Sequence, residues 1–239
     1  MKTKVILSVL FLAWITAMSQ IDINKIGHDV TKAVNGTAPL TNDEIVKGLK
    51  EALNVGSKHA SDSVSKVDGY FKNPKIKIPL PKDVKKAEST LRSMGLGSTV
   101  DNLIMSMNRA AEEAAKKSTP IFVDAITKMT ITDGVNILKG ADTAATAYLR
   151  KTTYTPLKTA FKPVIKDAID KAAVAQYYKP LVKEYNKIPL VKKLNPNLDD
   201  YVTDRALSGL FYMVSQEEVK IRKDPAAQVT DILKKVFGK

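Results

Sequence analysis

Apolar side chains recur every three to four positions along most of this chain, and strict alternation is rare. Ile45, Leu49, Ala52, Leu53, Ala60 and Val64 fall on one helical stripe. Thr41 with Glu44 three residues later is the reciprocal arrangement that caps a helix start, and Asp68-Gly69 closes the segment. Residues 73–81, NPKIKIPLP, break the pattern. Three prolines deny them helix, and Ile76 and Ile78 alternate with Lys75 and Lys77, which predicts an extended arm. Pro81 suits the first position of the next helix, which runs to Gly95.

Ser98 and Asp101 open another helix, with Val100, Leu103, Ile104, Met107, Ala111 and Ala114 on one face. Pro120 punctuates, and a further helix carries Ile121, Phe122, Ala125, Ile126 and Met129. A short helix follows Thr132 and stops at Gly140, and Asp142 caps the next, which holds Ala145, Tyr148 and Leu149. Pro156 starts a helix that Pro163 kinks. Residues 174–186 make one more helix, and 188–196 a second proline-containing extended piece. The run 201–222 is the most apolar of the later helices and is expected at the centre. Asp224-Pro225 supplies the cap and first residue of a final helix ending near Phe237. The expected fold is all-α: a single multi-helix globular domain of about eight to ten helices with short proline-rich extended arms, over residues 41–238.

The first forty residues do not belong to that pattern. Lys2 and Lys4 precede an apolar run at 5–17, and Ala17 and Ser19 stand at −3 and −1 of a cut before Gln20, the layout of a secretory signal. As helix that run is about 20 Å long, too short for a hydrocarbon core of about 30 Å. Residues 1–19 therefore read as a signal peptide and 20–40 as a leader. The processed protein is expected in the periplasm or outside the cell, without a transmembrane segment.

Composition narrows the chemistry. The chain contains no cysteine, which excludes disulfides, thiol catalysis and thiolate metal sites. Aromatic residues make up 6%, which favours helix over sheet. The net charge is +13; without Lys2 and Lys4, 36 basic residues (38 less two) face 25 acids, leaving +11. Such an excess favours anionic surfaces. Export sets nucleic acid aside as a partner.

IPLP at 78–81, MNRAAE at 107–112, FVDAI at 122–126, LDDYVTDRALSGLFY at 198–212 and IRKDPAA at 221–227 together resemble the bacterial family of domain of unknown function 4197, over residues 43–238. The resemblance implies an exported helical domain and brings no activity with it.

Candidate chemistry is sparse. Arg109 lies three residues before Glu112, so its guanidinium either grips a ligand carboxylate or phosphate or joins an inter-helix ion-pair network. Glu218 and Arg222 form an i,i+4 pair, and Glu217 with Glu218 gives paired carboxylates that either do general acid/base work or simply close the helix. Arg109, Glu112, Glu218 and Arg222 are the candidate ligand-binding residues. Asp199, Asp200 and Asp204 at a helix start complement its dipole rather than hold a cation. His28 and His59 lack partners at metal-ligand spacing, so no metal, cofactor or catalytic group is assigned.

Lys72, Lys75, Lys77, Lys82, Lys85 and Lys86 bracket the first arm, with Asp83 the lone acid. Lys179, Lys183 and Lys187 form a four-residue stripe that Lys192 and Lys193 extend. If adjacent in space, the two clusters would form a surface for anionic lipid or a polyanion; separately, each is a solvated face. Three functions stay open: a non-catalytic binding module for a lipid-like ligand or an envelope protein, a structural or assembly protein, and a carboxylate-based enzyme.

Overall fold

The computed structural model describes residues 41–171, 178–195 and 197–237. The predicted signal peptide, the leader, His28 and Pro196 lie outside them. Among the described residues there are nine α-helices and no strand: α1 (Asn42–Ser65), α2 (Lys82–Ser93), α3 (Gly97–Ala115), α4 (Ser118–Thr127), α5 (Ile131–Lys139), α6 (Ala144–Lys171), α7 (Lys179–Tyr185), α8 (Asp199–Lys223) and α9 (Asp231–Phe237). The all-α expectation holds.

α1 begins as its sequence requires. The Thr41 amide donates to Glu44 Oε2 at 2.9 Å, and the Glu44 amide donates to Thr41 Oγ1 at 3.2 Å. Every apolar residue of its stripe is buried. α8 is central as expected and packs against α1, α3 and α6. Its Phe211 meets Phe122 of α4 edge-on, with ring centroids 6.0 Å apart. Ala110, Ala111, Ala114 and Ala115 are all buried, so α3 presents a small-residue face to its neighbours.

Several boundaries differ from expectation. α1 ends at Ser65, and residues 66–72 form turns, with Asp68 at φ 71°. Pro81 caps α2 from outside it. α5 starts two residues earlier than Thr132 suggested, because Thr130 and Asp133 make a second reciprocal cap. The separate helix at Pro156 does not exist: α6 runs unbroken from Ala144 to Lys171 through both prolines. A proline removes the bond to the carbonyl four residues earlier. Those carbonyls belong to Thr152 and Thr159, which, like Pro156 and Pro163, are exposed, so water can satisfy them. The opposite face, Leu149, Thr153, Leu157, Phe161, Ile165 and Ile169, is buried throughout and holds the helix in place.

The final helix is also divided. Asp224 caps only a 3₁₀ turn, Pro225–Ala227, through the Ala226 amide at 2.9 Å, and α9 begins separately at Asp231. Buried Gln228 holds the break by donating from Nε2 to Ile221 O at 3.1 Å. Of the helix expected at 174–186, Lys179–Tyr185 is present and 172–177 lie outside the described residues.

The first proline arm is extended only at 77–81, after a turn at 74–76. A buried arm needs partners for its backbone, and there is no sheet to supply them. Asn108 of α3 stands in. Its Oδ1 accepts from the Ile78 amide at 2.8 Å, and its Nδ2 donates to Ile78 O at 2.9 Å and Ile104 O at 2.8 Å. Tyr201 donates to Pro79 O at 2.8 Å. Gly209 of α8 leaves room for this region: a Cβ there would sit 2.7 Å from the Tyr70 ring and 3.1 Å from Ile76. Among the described residues Asn54 Oδ1 is the one buried side-chain polar atom without a hydrogen-bond partner.

Asn108→Leu keeps volume but strands both polar groups of Ile78. At about 1–3 kcal/mol for each unsatisfied group, urea unfolding should show a loss of about 2–6 kcal/mol. A loss under ~1 kcal/mol would mean that the amide does not hold the arm.

Candidate functional site

Arg109 and Glu112 come together as their spacing predicts, and they recruit a third residue that sequence reasoning treated only as a helix stop. Arg109 Nη1 donates to Glu112 Oε2 and Nη2 to Asp68 Oδ1, both at 2.6 Å. Lys72 reaches the other Asp68 oxygen at 2.8 Å. Glu112 is 4% exposed, and its Oε1 accepts from the backbone amides of Tyr70 at 3.0 Å and Phe71 at 3.1 Å. The left-handed backbone at Asp68 turns the chain so that those amides point inward, and aspartate tolerates that conformation better than most residues. Arg109 and Lys77 also stand over the Phe71 ring, at 5.6 and 4.4 Å from its centroid. The Tyr70 hydroxyl donates to Ala206 O at 2.7 Å, and burial pushes its ionisation far above the ordinary range.

Glu218 and Arg222 form a second cluster of the same kind. Glu218 Oε1 accepts from the Ala145 amide at 3.0 Å, and Oε2 from the Thr146 amide and hydroxyl, both at 2.7 Å. This carboxylate caps the start of α6, and Asp142, the residue expected there, pairs with Lys223. Arg222 donates to Glu218 Oε1 from Nε at 3.0 Å and Nη2 at 2.9 Å, and to Ile137 O at the end of α5 at 3.0 Å.

The two clusters are not one site. Ala206 and Glu218 are twelve residues apart on α8, about 18 Å along a helix, and the clusters share no hydrogen-bond partner. In each, both carboxylate oxygens already accept from protein donors. Glu218 and Arg222 do line a cavity with Leu49, Leu53, Val214 and Phe237, but its volume is about 20 Å³, room for about one water.

The acids at the start of α8 do more than complement its dipole. Asp200 pairs with Lys162 at 2.8 Å and Asp204 with Lys158 at 2.7 Å, tying α8 to α6. Among the described residues no group of three or more metal-ligating side chains is gathered. The lysine clusters do meet at one point: Lys192 reaches both oxygens of Asp83 on α2 at 3.0 Å. Lys75 and Lys77 remain on the arm, Lys179 pairs with Asp170 at 3.4 Å, and Lys183 and Lys187 are exposed on the α7 side.

A larger opening lies where no motif pointed. α1, the end of α8 and the 3₁₀ turn enclose a groove of about 540 Å³. Its apolar wall is Val55, Ile221, Ala226, Ala227 and Val229; its polar wall is Lys58, His59, Asp62, Glu217, Lys220 and Asp224. His59 Nδ1 lies 2.8 Å from Glu217 Oε2, and Lys220 Nζ is 3.2 Å from the other oxygen. The sequence signal for it was indirect: residues 221–227 are the IRKDPAA segment. A smaller opening of about 190 Å³ lies between Lys166, Asp170, Lys179 and Asp199.

The model of the family described as protein of unknown function (DUF4197) matches residues 39–238. The chain belongs to that family. No curated protein and no solved structure matches it. All five DUF4197 segments thus have a local role. IPLP is the arm held by Asn108, MNRAAE carries Asn108, Arg109 and Glu112, FVDAI packs Phe122 against Phe211, the segment from 198 builds α8, and IRKDPAA lines the groove.

Two outcomes follow for the DUF4197 clusters. Asp68 is held below its ordinary value of 3.8 by hydrogen bonds from Lys72 and Arg109. A depressed folded-state pKa gives stability that is present above the unfolded value and lost as pH falls through the folded one. Asp68→Asn, which keeps the left-handed backbone, should therefore lower the melting temperature at pH 7, and the gap to wild type should close below about pH 4. A gap independent of pH would remove the electrostatic account. Glu218→Ala leaves two amides and Arg222 without their acceptor and should cost about 3–5 kcal/mol in urea; a cost near that of an exposed helix position would show that water replaces the carboxylate.

Proposed function

We propose that the protein is an exported, non-catalytic binding module whose groove between α1 and the end of α8 takes an amphiphile. The groove's volume of about 540 Å³ carries the reading, since small-molecule sites typically span 300–1,000 Å³. One wall is apolar and suits an alkyl chain, while Lys58, His59 and Lys220 on the other suit an acidic headgroup. The three acids among them, Asp62, Glu217 and Asp224, outnumber the two lysines and favour a ligand with one small charge rather than a polyanion. Export rests on the sequence of residues 1–19, and an amphiphile is among the ligands a periplasmic or secreted carrier meets.

The buried pairs Arg109–Glu112 and Glu218–Arg222 serve this reading as framework. The first fixes the turn after α1; the second fixes the end of α8 that forms one side of the groove. No helix among the described residues is long and apolar enough to cross a membrane.

The test is titration with fluorophore-labelled palmitate, followed by fluorescence. Saturable binding is expected. Val229→Asp, at an exposed groove position, should weaken it at least about tenfold, since removing a buried valine side chain's contribution costs about 1.5–3 kcal/mol. Absence of saturable binding, or equal affinity in the variant, would overturn the assignment.

A further inference from the structure

The geometry points to a second, separate site: the loop at 187–193, KIPLVKK, is a wedge that docks the domain on an anionic phospholipid bilayer. It shares no residue with the groove and does not depend on the reading given to that groove.

The loop is a closed projection. Asn186 ties its two ends: Nδ2 donates to Leu194 O at 3.1 Å, and Oδ1 accepts from the Leu194 amide at 2.8 Å. Lys193 Nζ also donates to Asn186 O. Leu194 is buried, and the Tyr178 hydroxyl donates to Asn195 O at 2.7 Å, so the base is anchored in the core. What projects is apolar. Ile188 and Pro189 are exposed, and Leu190 is completely exposed at the tip.

Leu190 also has φ 62°, the left-handed region where glycine and asparagine are at ease and leucine is strained. Two unfavourable features therefore coincide at one residue in the free protein, a solvent-exposed isobutyl group and a disfavoured backbone. Insertion among acyl chains would remove the first and make use of the second, which aims the side chain outward.

The surroundings supply the matching charge. Lys192 bridges to Asp83 and so places the loop beside the first turns of α2, where Lys82, Lys85 and Lys86 are exposed. Lys183 in the last turn of α7 and Lys187 at the start of the loop are exposed as well. An apolar tip inside a rim of lysines is the arrangement that partitions into the headgroup region of an anionic membrane, with apolar burial and electrostatic attraction acting together. A protein groove would complement the leucine but would need its own acidic rim to match so many lysines.

The experiment is co-sedimentation of the full chain with vesicles of phosphatidylglycerol and phosphatidylcholine. Every arm uses the same chain, so the apolar run at 5–17 contributes equally throughout. Wild type should bind phosphatidylglycerol vesicles more tightly than pure phosphatidylcholine, and part of that binding should persist in 0.5 M salt. Leu190→Asp should weaken binding at least tenfold. Lys82→Gln, Lys85→Gln and Lys86→Gln combined should remove the salt-sensitive part only. Leu190→Gly separates docking from structure: relief of the left-handed strain should leave thermal stability unchanged or raise it, while vesicle binding falls. Equal binding by the Leu190 variants and wild type would overturn the proposal, and so would a loss of stability in Leu190→Gly. Preference for a protein from the envelope over both vesicle types would overturn it as well.

Discussion

The fold depends on a buried carboxylate that bonds to backbone amides. A bundle without a sheet among its described residues has no ladder in which to place the polar groups of its connecting segments, yet segment 66–81 buries Tyr70, Ile76, Ile78 and Leu80 in the core. Glu112 answers for Tyr70 and Phe71, and Asn108, one turn earlier on α3, answers for Ile78. A charge at 4% exposure would be untenable alone. Arg109 balances it, and Asp68 and Lys72 carry the network to the surface. Removing Arg109 leaves the buried Glu112 charge without its counter-ion, and removing Glu112 leaves the Tyr70 and Phe71 amides without their acceptor, so the inner members act as a unit.

Glu218 repeats the solution at the other end of α8, with helix starts and ends in place of a turn. It caps α6 through Ala145 and Thr146, and its partner Arg222 caps α5 through Ile137 O. Both carboxylates sit on helices whose small or apolar neighbours let other helices approach closely. Between them they set the position of α8, and the far end of α8 in turn forms one side of the groove.

What the sequence disclosed was what periodicity and local capping encode. The stripe on α1, the box at Thr41 and the centrality of α8 all follow from spacings within a single element. What escaped it depends on partners far along the chain. The part of Glu218 in the start of α6 was invisible because that glutamate stands 73 positions downstream of the amide it caps. The prolines of α6 looked like boundaries because their tolerance depends on which face meets water. Arg109 and Glu112 were found as a pair, but their purpose lay in two amides forty residues upstream. The groove had only an indirect signature in the IRKDPAA segment, since its walls come from α1 and from both sides of the break at Gln228.

The remote cap on α6 bears on the timing of folding. A chain that emerges amino terminus first has residues 144–171 available long before residue 218. Until that glutamate arrives, the opening turn of the longest described helix keeps free amides, and the end of α5 keeps a free carbonyl. The native arrangement can therefore lock only when nearly the whole chain is present. A polypeptide with so late a closure stays pliable through synthesis, which suits any passage that accepts only unfolded chains.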